Sequence, residues 1–270
     1  MSVVCPAPAK LNLFLHVTGR RADGLHLLQS LVCFADVGDL VSVERTGAPD
    51  TPMQFVATGP FAHELDGDAG SNLVVRAAVE LAHLAGRDTH GLRLTLHKNL
   101  PVASGIGGGS ADAAATLRAL TRFWGLAPGP DALSDLALRL GADVPVCLAA
   151  VPAMMQGVGE QVTPCAVPEG IGVLLVNPGS PVSTAAIFRS FADRGAFSAP
   201  VAGVSSTDPR GWFHDLARHH NDLQAAAVET CQPIGAVLAA LAACDGVRLH
   251  RMSGSGATCF ALFDSVAEAE

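Results

Sequence analysis

Four glycines stand within five positions of the stretch Pro101-Val-Ala-Ser-Gly-Ile-Gly-Gly-Gly-Ser110, at 105, 107, 108 and 109, and an alanine-rich stretch follows at once. Glycine lets backbone N–H groups close around an anion where a Cβ would clash. A helix start adds unpaired N–H donors and the positive end of a dipole. The chemistry is anion binding, and nucleotide phosphate is the anion that suits it. A plain strand-to-helix connection needs one or two glycines, not four. A P-loop needs Lys after its last Gly, and Ser110 stands there instead. A dinucleotide loop, G-x-G-x-x-G, also fails at Ser110, and no acidic residue is clearly placed on a following strand. The third option, beside a tight turn that binds nothing, is a loop introduced by Pro101, running through Val102, Ala103, Ser104, Gly105, Ile106, Gly107, Gly108, Gly109, Ser110 and Ala111 into a helix that holds ATP phosphates.

A compositional bias singles out two cations. Of the 17 basic residues only Lys10 and Lys98 are lysine. Arg serves wherever a generic surface cation is wanted, so a compact point charge is the reason to keep Lys. Lys10 lies on the first strand, with Asn12 on the same face by the period of two. Lys98 ends the strand before the glycine loop. Asp143 sits just past a helix stopped by Gly141, with Pro145 holding it extended. Read alone it is a solvated turn aspartate. Ser110 serves as N-cap, as a phosphate or Mg²⁺ contact, or as both. Asp112, in the first helical turn, suits the dipole by ~0.3–1 kcal/mol. The remaining histidines, His219 and His220 among them, and the cysteines show no ligand spacing and read as structural.

These residues need elements to hold them. Residues 9–17 alternate in part, as a half-buried strand does. Residues 27–36 and 39–45 suggest two strands paired across a turn at Val37-Gly38. Further strands are expected at 53–57, 91–98, 153–156, 159–162, 171–176, 247–252 and 258–263. Helices are expected at 71–84, 110–124, 131–140, 183–193, 220–230 and 233–243, the first capped by Ser71 or Asn72. Residues 265–270 read like a helix start, and 164–170 like a boundary. The Gly/Ser/Pro-containing stretch 195–211 reads as the most mobile segment. A second glycine loop, Ser253-Gly-Ser-Gly256, lies between the last two strands. Strands and helices mix without regular βαβ alternation, which favours an α+β class.

Composition narrows the partners. The 270 residues, 49% hydrophobic, suffice for one large domain or two modest ones. A net charge of −8 argues against nucleic acid. No apolar run reaches the ~18 residues of a membrane span. Pro6, Pro8 and Lys10 stand where a signal peptide would carry its apolar region. Seven dispersed cysteines without a C-x-x-C pair read as reduced cytosolic thiols.

Pro101-x-x-x-Gly-x-Gly-Gly-Gly-Ser-x-x-Ala-Ala resembles the ATP-binding motif of the GHMP kinases, the small-molecule kinases named after galactokinase, homoserine kinase, mevalonate kinase and phosphomevalonate kinase. Pro8-Ala-Lys-Leu-Asn-Leu-Phe-Leu15, Arg21-Ala-Asp-Gly-Leu-His26, Gly141-Ala-Asp-Val-Pro145, Gly157-Val-Gly-Glu160 and Ser253-Gly-Ser-Gly-Ala-Thr258 are similar, in order and over nearly the whole chain, to one branch of that family. That branch phosphorylates the 2-hydroxyl of a cytidine diphosphate-linked methylerythritol. The resemblance implies a two-domain α+β kinase with its active site in the interdomain cleft. The domains would be 1–163, nucleotide-binding and ribosomal protein S5 domain 2-like, and 164–270, the C-terminal kinase domain.

It further implies ATP and Mg²⁺, a small-molecule acceptor, no nucleic acid, membrane or protein partner, and a cytoplasmic enzyme. Asp143 would be the base on the substrate hydroxyl. Lys10 would be catalytic beside it, and Asn12 would bond the polyol. Lys98 would contact ATP near the base and α-phosphate. Asn72 would line the adenine pocket, although it reads equally as a plain helix cap. His26 would read the cytosine edge, Phe188 would stack on its face, and Thr184 would touch substrate. For Phe188, ordinary helix core is the rival reading. Leu25 departs from the family, which carries an aromatic there, and supplies apolar contact without π-stacking. The loop 253–258 would back the phosphates. Two alternatives stand: a relative acting on another alcohol, such as homoserine or mevalonate, and a nucleotide-binding regulator without turnover. The presence of both Lys10 and Asp143 argues against the second.

Overall fold

The computed structural model of the chain describes residues 2–65, 69–193, 196–204 and 206–270. It divides into two compact units, one of residues 1–10, 36–102 and 107–150, the other of 11–35, 103–106 and 151–270. Neither is continuous in sequence, because β1 (Ser2–Arg20) and β2 (His26–Arg45) each give one part to one unit and one part to the other.

In the first unit the C-terminal part of β2 pairs antiparallel with β4 (Leu92–His97), Leu40 opposite His97 and Arg45 opposite Leu92. On its other side β4 runs parallel to β3 (Gln54–Thr58). Val41, Val43, Leu92, Leu94 and Leu96 form one buried face with the period of two that a half-buried sheet requires. Four helices follow: α1 (Leu73–Ala85), α2 (Gly108–Trp124), α3 (Pro130–Leu140) and α4 (Val144–Ala149). α2 packs against α1 and α4. Its Ala111, Ala113, Ala114, Ala115 and Ala119 are buried, and such small side chains let neighbouring helices approach closely.

In the second unit the N-terminal part of β2 pairs with β5 (Ala153–Gly157), which pairs with β6 (Gln161–Pro164). A separate antiparallel sheet has the order β7 (Gly172–Val176), β9 (Cys259–Phe263), β8 (Leu249–Met252). The helices are α5 (Thr184–Ala192), α6 (Pro209–Ala217), α7 (Gln224–Thr230), α8 (Gln232–Ala242) and α9 (Val266–Ala269). Leu15, Val17, Ile187, Phe191, Leu223, Ile234, Leu241, Met252 and Phe263 build one apolar core.

Three local expectations are corrected. Val37-Gly38 is not a turn, since β2 runs through it as one strand of 20 residues. A Cβ on Gly38 would stand 2.4 Å from the Ala7 carbonyl oxygen and 2.7 Å from Pro8 Cα. This glycine marks a close backbone approach, the other meaning of Gly inside a strand. Pro145 does not hold Asp143 extended. It sits in the first turn of α4, where its missing N–H and fixed φ are tolerated. The helix Pro209–Ala217 was not anticipated, although Asp208 caps it and Pro209 opens it. Within 195–211, residues 195 and 205 lie outside the described residues. Elsewhere in that stretch Gln29 holds the Val201 backbone through two hydrogen bonds, of 2.7 and 2.8 Å.

Gly38→Ala is expected to destabilise the protein by roughly 1–3 kcal/mol, the range for overpacking a close contact. An unchanged urea midpoint would contradict the close approach.

Candidate active site

The glycine loop meets α2 earlier than the spacing suggests. The helix begins at Gly108 with Gly107 as its N-cap, in the left-handed region at φ 65°. Gly108, Gly109 and Ser110 therefore form the first turn, whose amides have no partners within the helix. Asp112 falls beyond that turn and is buried, so it does not serve the dipole from the surface. A Cβ on Gly107 would stand 3.1 Å from both Cβ and Cε of Lys10. A Cβ on Gly108 would stand 3.1 Å from Lys98 Nζ. The loop backbone thus lies directly on the two lysines of the chain, both of them buried.

Lys10 Nζ donates to Asp143 Oδ2 at 2.8 Å. Asp143 occupies the N-cap position of α4 but makes no side-chain cap bond, so its carboxylate is turned to the lysine. The Lys10 side chain is 4% exposed and that of Asp143 34%. The ion pair is anchored on its cationic side and open on its anionic side, which suits a carboxylate that must meet a ligand.

Lys98 has partners that its place in the sequence did not reveal. Its ammonium, 2% exposed, is held by Asp39 Oδ2 at 2.5 Å and Asp112 Oδ2 at 2.9 Å. Asp39 also accepts from the amides of Asn99 and Leu100. Burial alone would depress the Lys98 pKa, but the charges of Asp112 and Asp39 outweigh it and hold the ammonium above its ordinary value. Burial pushes the Asp112 carboxyl up to about 7, against the opposing pull of Lys98. The charge of Lys98 is thus spent on two carboxylates. Its ammonium lies beside Gly108 of the loop, where a Cβ would stand 3.1 Å from it. Asp39 was missed in the sequence, masked by the reading of 37–38 as a turn.

The loop's first part, residues 103–106, belongs to the second unit. There Gly105 (φ 77°) faces the second glycine loop, and a Cβ on it would stand 2.5 Å from the Gly256 carbonyl oxygen. Thr258 N donates to Ser104 O, and Ser253 Oγ donates to Gly105 O. Loop 253–258 therefore backs residues 104–105 directly, and the hydroxyl of Ser253 is a contact that spacing did not reveal.

Asn12 lies in the same unit. Its Nδ2 donates to Ser30 Oγ at 2.7 Å, while Ser30 Oγ donates to Phe14 O. The single hydroxyl hydrogen of Ser30 is committed to that carbonyl, so the atom of Asn12 facing it must be the donor. This leaves Asn12 Oδ1 as a buried acceptor with no partner among the described residues, fit to receive a hydroxyl. His26 and Phe188 are also brought together, their rings stacked with centroids 4.9 Å apart and planes at 27°. No base fits between rings that close, so one face of Phe188 is committed to His26. Burial, aided by Arg20, holds the His26 pKa below its ordinary value, and its Nε2 is buried with no hydrogen-bond partner among the described residues. A neutral imidazole with an unused nitrogen can bond a base edge. Leu25 is 52% exposed. Thr184 opens α5 and shares a 2.8 Å hydrogen bond with the Ser255 hydroxyl. Asn72 caps α1, its Oδ1 accepting from Val74 N.

Lys98→Met strands two carboxylates in a buried site and is expected to cost about 3–5 kcal/mol. Lys98→Met combined with Asp39→Asn and Asp112→Asn should recover most of that loss in chemical denaturation.

Comparison with known proteins agrees with this geometry. Residues 72–150 match the model of the GHMP kinases N terminal domain, and residues 207–270 that of GHMP kinases C terminal. A 4-diphosphocytidyl-2-C-methyl-D-erythritol kinase of Paracoccus denitrificans is 51% identical over 98% of this chain and 88% of its own. The protein of that name from Granulibacter bethesdensis is 48% identical over 96% of this chain and 84% of its own. A crystal structure of 4-(cytidine 5'-diphospho)-2C-methyl-D-erythritol kinase superposes with a TM-score of 0.80 at 31% identity, covering 98% of this chain and 92% of that one. A homoserine kinase from Cytophaga hutchinsonii shares the fold, with a TM-score of 0.65 at 19% identity over 99% of this chain and 87% of that one. This chain belongs to the GHMP kinases, and within them to the 4-diphosphocytidyl-2-C-methyl-D-erythritol kinase family.

Proposed function

We propose that the chain transfers the γ-phosphoryl group of ATP to the 2-hydroxyl of 4-diphosphocytidyl-2-C-methyl-D-erythritol. One observation carries the reading. The stem of Lys10 lies against Gly107 of the phosphate loop while its ammonium holds Asp143. A single side chain thus ties the anion-binding backbone to the open carboxylate.

The residues divide the work. The first-turn amides at 108–110 receive ATP phosphate, drawn by the helix N-terminus. Glycines suit the positions where a Cβ would press on Lys10 and Lys98. Lys98, braced by Asp39 and Asp112, contacts ATP near the base and α-phosphate, and Asn72 borders the adenine. The Asp143 carboxylate accepts the proton of the acceptor hydroxyl as the oxygen attacks phosphorus. Lys10 orients that carboxylate and offsets charge on the transferring group. Asn12 Oδ1 accepts a second hydroxyl of the polyol. Phe188, on its free face, stacks the cytosine, His26 Nε2 bonds the base edge, and Thr184 contacts the remainder.

The donor set fits a hydrated Mg²⁺ carried by ATP. Among the described residues no group of three or more His, Cys, Asp or Glu could hold a metal alone. Ser110, in the first turn of α2, is the residue we assign to touch it. Held there with ATP, Mg²⁺ would offset the charge of the phosphates. Asp112 is excluded from that role by its pairing with Lys98. The family matches at 72–150 and 207–270 fall on either side of position 163, which supports domains 1–163 and 164–270 in the family's sense. Seven cysteines without disulfides support a cytoplasmic setting. No helix among the described residues is long and apolar enough to cross a membrane.

Purified protein with ATP and Mg²⁺ is expected to phosphorylate the cytidyl acceptor and to leave homoserine and mevalonate untouched. Turnover of homoserine alone would sink the assignment. Asp143→Asn should lower kcat by ~10²–10⁴-fold, the usual contribution of a positioned base, and a kcat within about twofold of the parent would remove Asp143 from that role.

A further inference from the structure

His219-His220-Asn221-Asp222 showed no ligand spacing, and none of the assigned chemistry uses it. In the second unit this segment runs beside β1. Leu15 N donates to His220 O at 3.0 Å and Asp222 N to Leu15 O at 2.9 Å. Val17 N donates to Asp222 Oδ2 at 2.7 Å. Asn221 turns the other way and is 5% exposed. Its Nδ2 donates to Met252 O and to Gly254 O, each at 2.8 Å, while its Oδ1 accepts from Leu223 N at 2.9 Å. Two carbonyls can only accept and an amide N–H can only donate, so this carboxamide has one possible orientation.

The two carbonyls it grips flank Ser253, which is fully buried. The Ser253 hydroxyl accepts from Asn12 N at 3.1 Å and donates to Gly105 O at 3.0 Å. One hydroxyl therefore sets the backbone of the acceptor-binding residue against the carbonyl of a phosphate-loop glycine. Its own place depends on the peptide units on either side, and Asn221 holds both. Arg251, donating to the Leu13 and His219 carbonyls, ties the same strand to the same segment but does not touch the glycine loop.

We propose that Asn221 is a positioning residue for phosphoryl transfer, fixing Ser253 and through it the register of Asn12 on Gly105. The proposal rests on the kinase reading above for its kinetic consequence, though not for its structural one. Asn221→Asp is the discriminating variant. It keeps the acceptor for Leu223 N but sets an oxygen against two carbonyls. The neighbouring Asp222→Asn weakens the strap at Val17 without touching loop 253–256, and serves as the control for plain structural loss.

In Asn221→Asp, kcat is expected to fall by about tenfold to a hundredfold, the scale of a small misplacement at a reacting centre, with the KM of ATP changed far less. The Asn12 amide should exchange with deuterium faster than in the parent. Asp222→Asn should lower Tm while leaving kcat and Asn12 exchange as they were. A folded Asn221→Asp with kcat within twofold of the parent, or with unchanged Asn12 exchange, overturns the proposal. So does an equal loss of kcat in Asp222→Asn. If Asn221→Asp does not fold, Ser253→Ala, which deletes only the hydroxyl, decides by the same two readouts. A parent protein that fails to phosphorylate the cytidyl acceptor defeats the kinase reading instead, and Asn12 exchange then decides the positioning alone.

Discussion

The backbone of Gly107-Gly108 rests on two lysines, and the assigned phosphate site depends on that contact. Each glycine lies close over the side chain beneath it, since a Cβ at either position would stand 3.1 Å from Lys10 or Lys98. The two cations are not equivalent. Lys10 is paired with one carboxylate that stays open to solvent. Lys98 is paired with two that do not. Moving an ammonium out of water costs several kcal/mol, and each buried lysine meets that cost with a paired acid. The carboxylates are as necessary to the loop as the glycines.

This arrangement separates holding from reacting. The cluster of Asp39, Lys98 and Asp112 sits behind the first turn of α2 and consumes its own charge. What is left to attract phosphate is the backbone, whose first-turn donors are fixed in direction and cost no rearrangement when a ligand arrives. Lys10 and Asp143 stand where one member can still change partners. A second support comes from the C-terminal glycine loop, whose Ser253 hydroxyl joins Gly105 to Asn12.

Much of the fold was legible because hydrophobic period and helix punctuation are local. α1 with its Asn72 cap, α3 ending at Gly141, and the strands around 92–97 and 259–263 follow from such signals. Gly38 and Asp112 misled for a common reason. Each residue type has two structural uses, and only a neighbour distant in sequence decides between them. Gly38 answers to Ala7 and Pro8, and Asp112 to Lys98. The candidate residues were legible by type, and the structure joins Lys10 to Asp143 and His26 to Phe188. Asp39, Ser253 and Asn221 were not, since a buried polar residue reveals its purpose only through its partners.

The sequence by itself determined that a phosphate-binding loop is present, that it is neither a P-loop nor a dinucleotide loop, and which family of kinases carries it. Glycine spacing and motif order are local and survive without coordinates. Only the tertiary structure decided which way each charge is spent. Lys10 and Lys98 read alike along the chain, yet burial leaves one with a solvent-facing partner and seals the other between two acids. That difference is one of dielectric surroundings and distance, and neither exists before the chain folds.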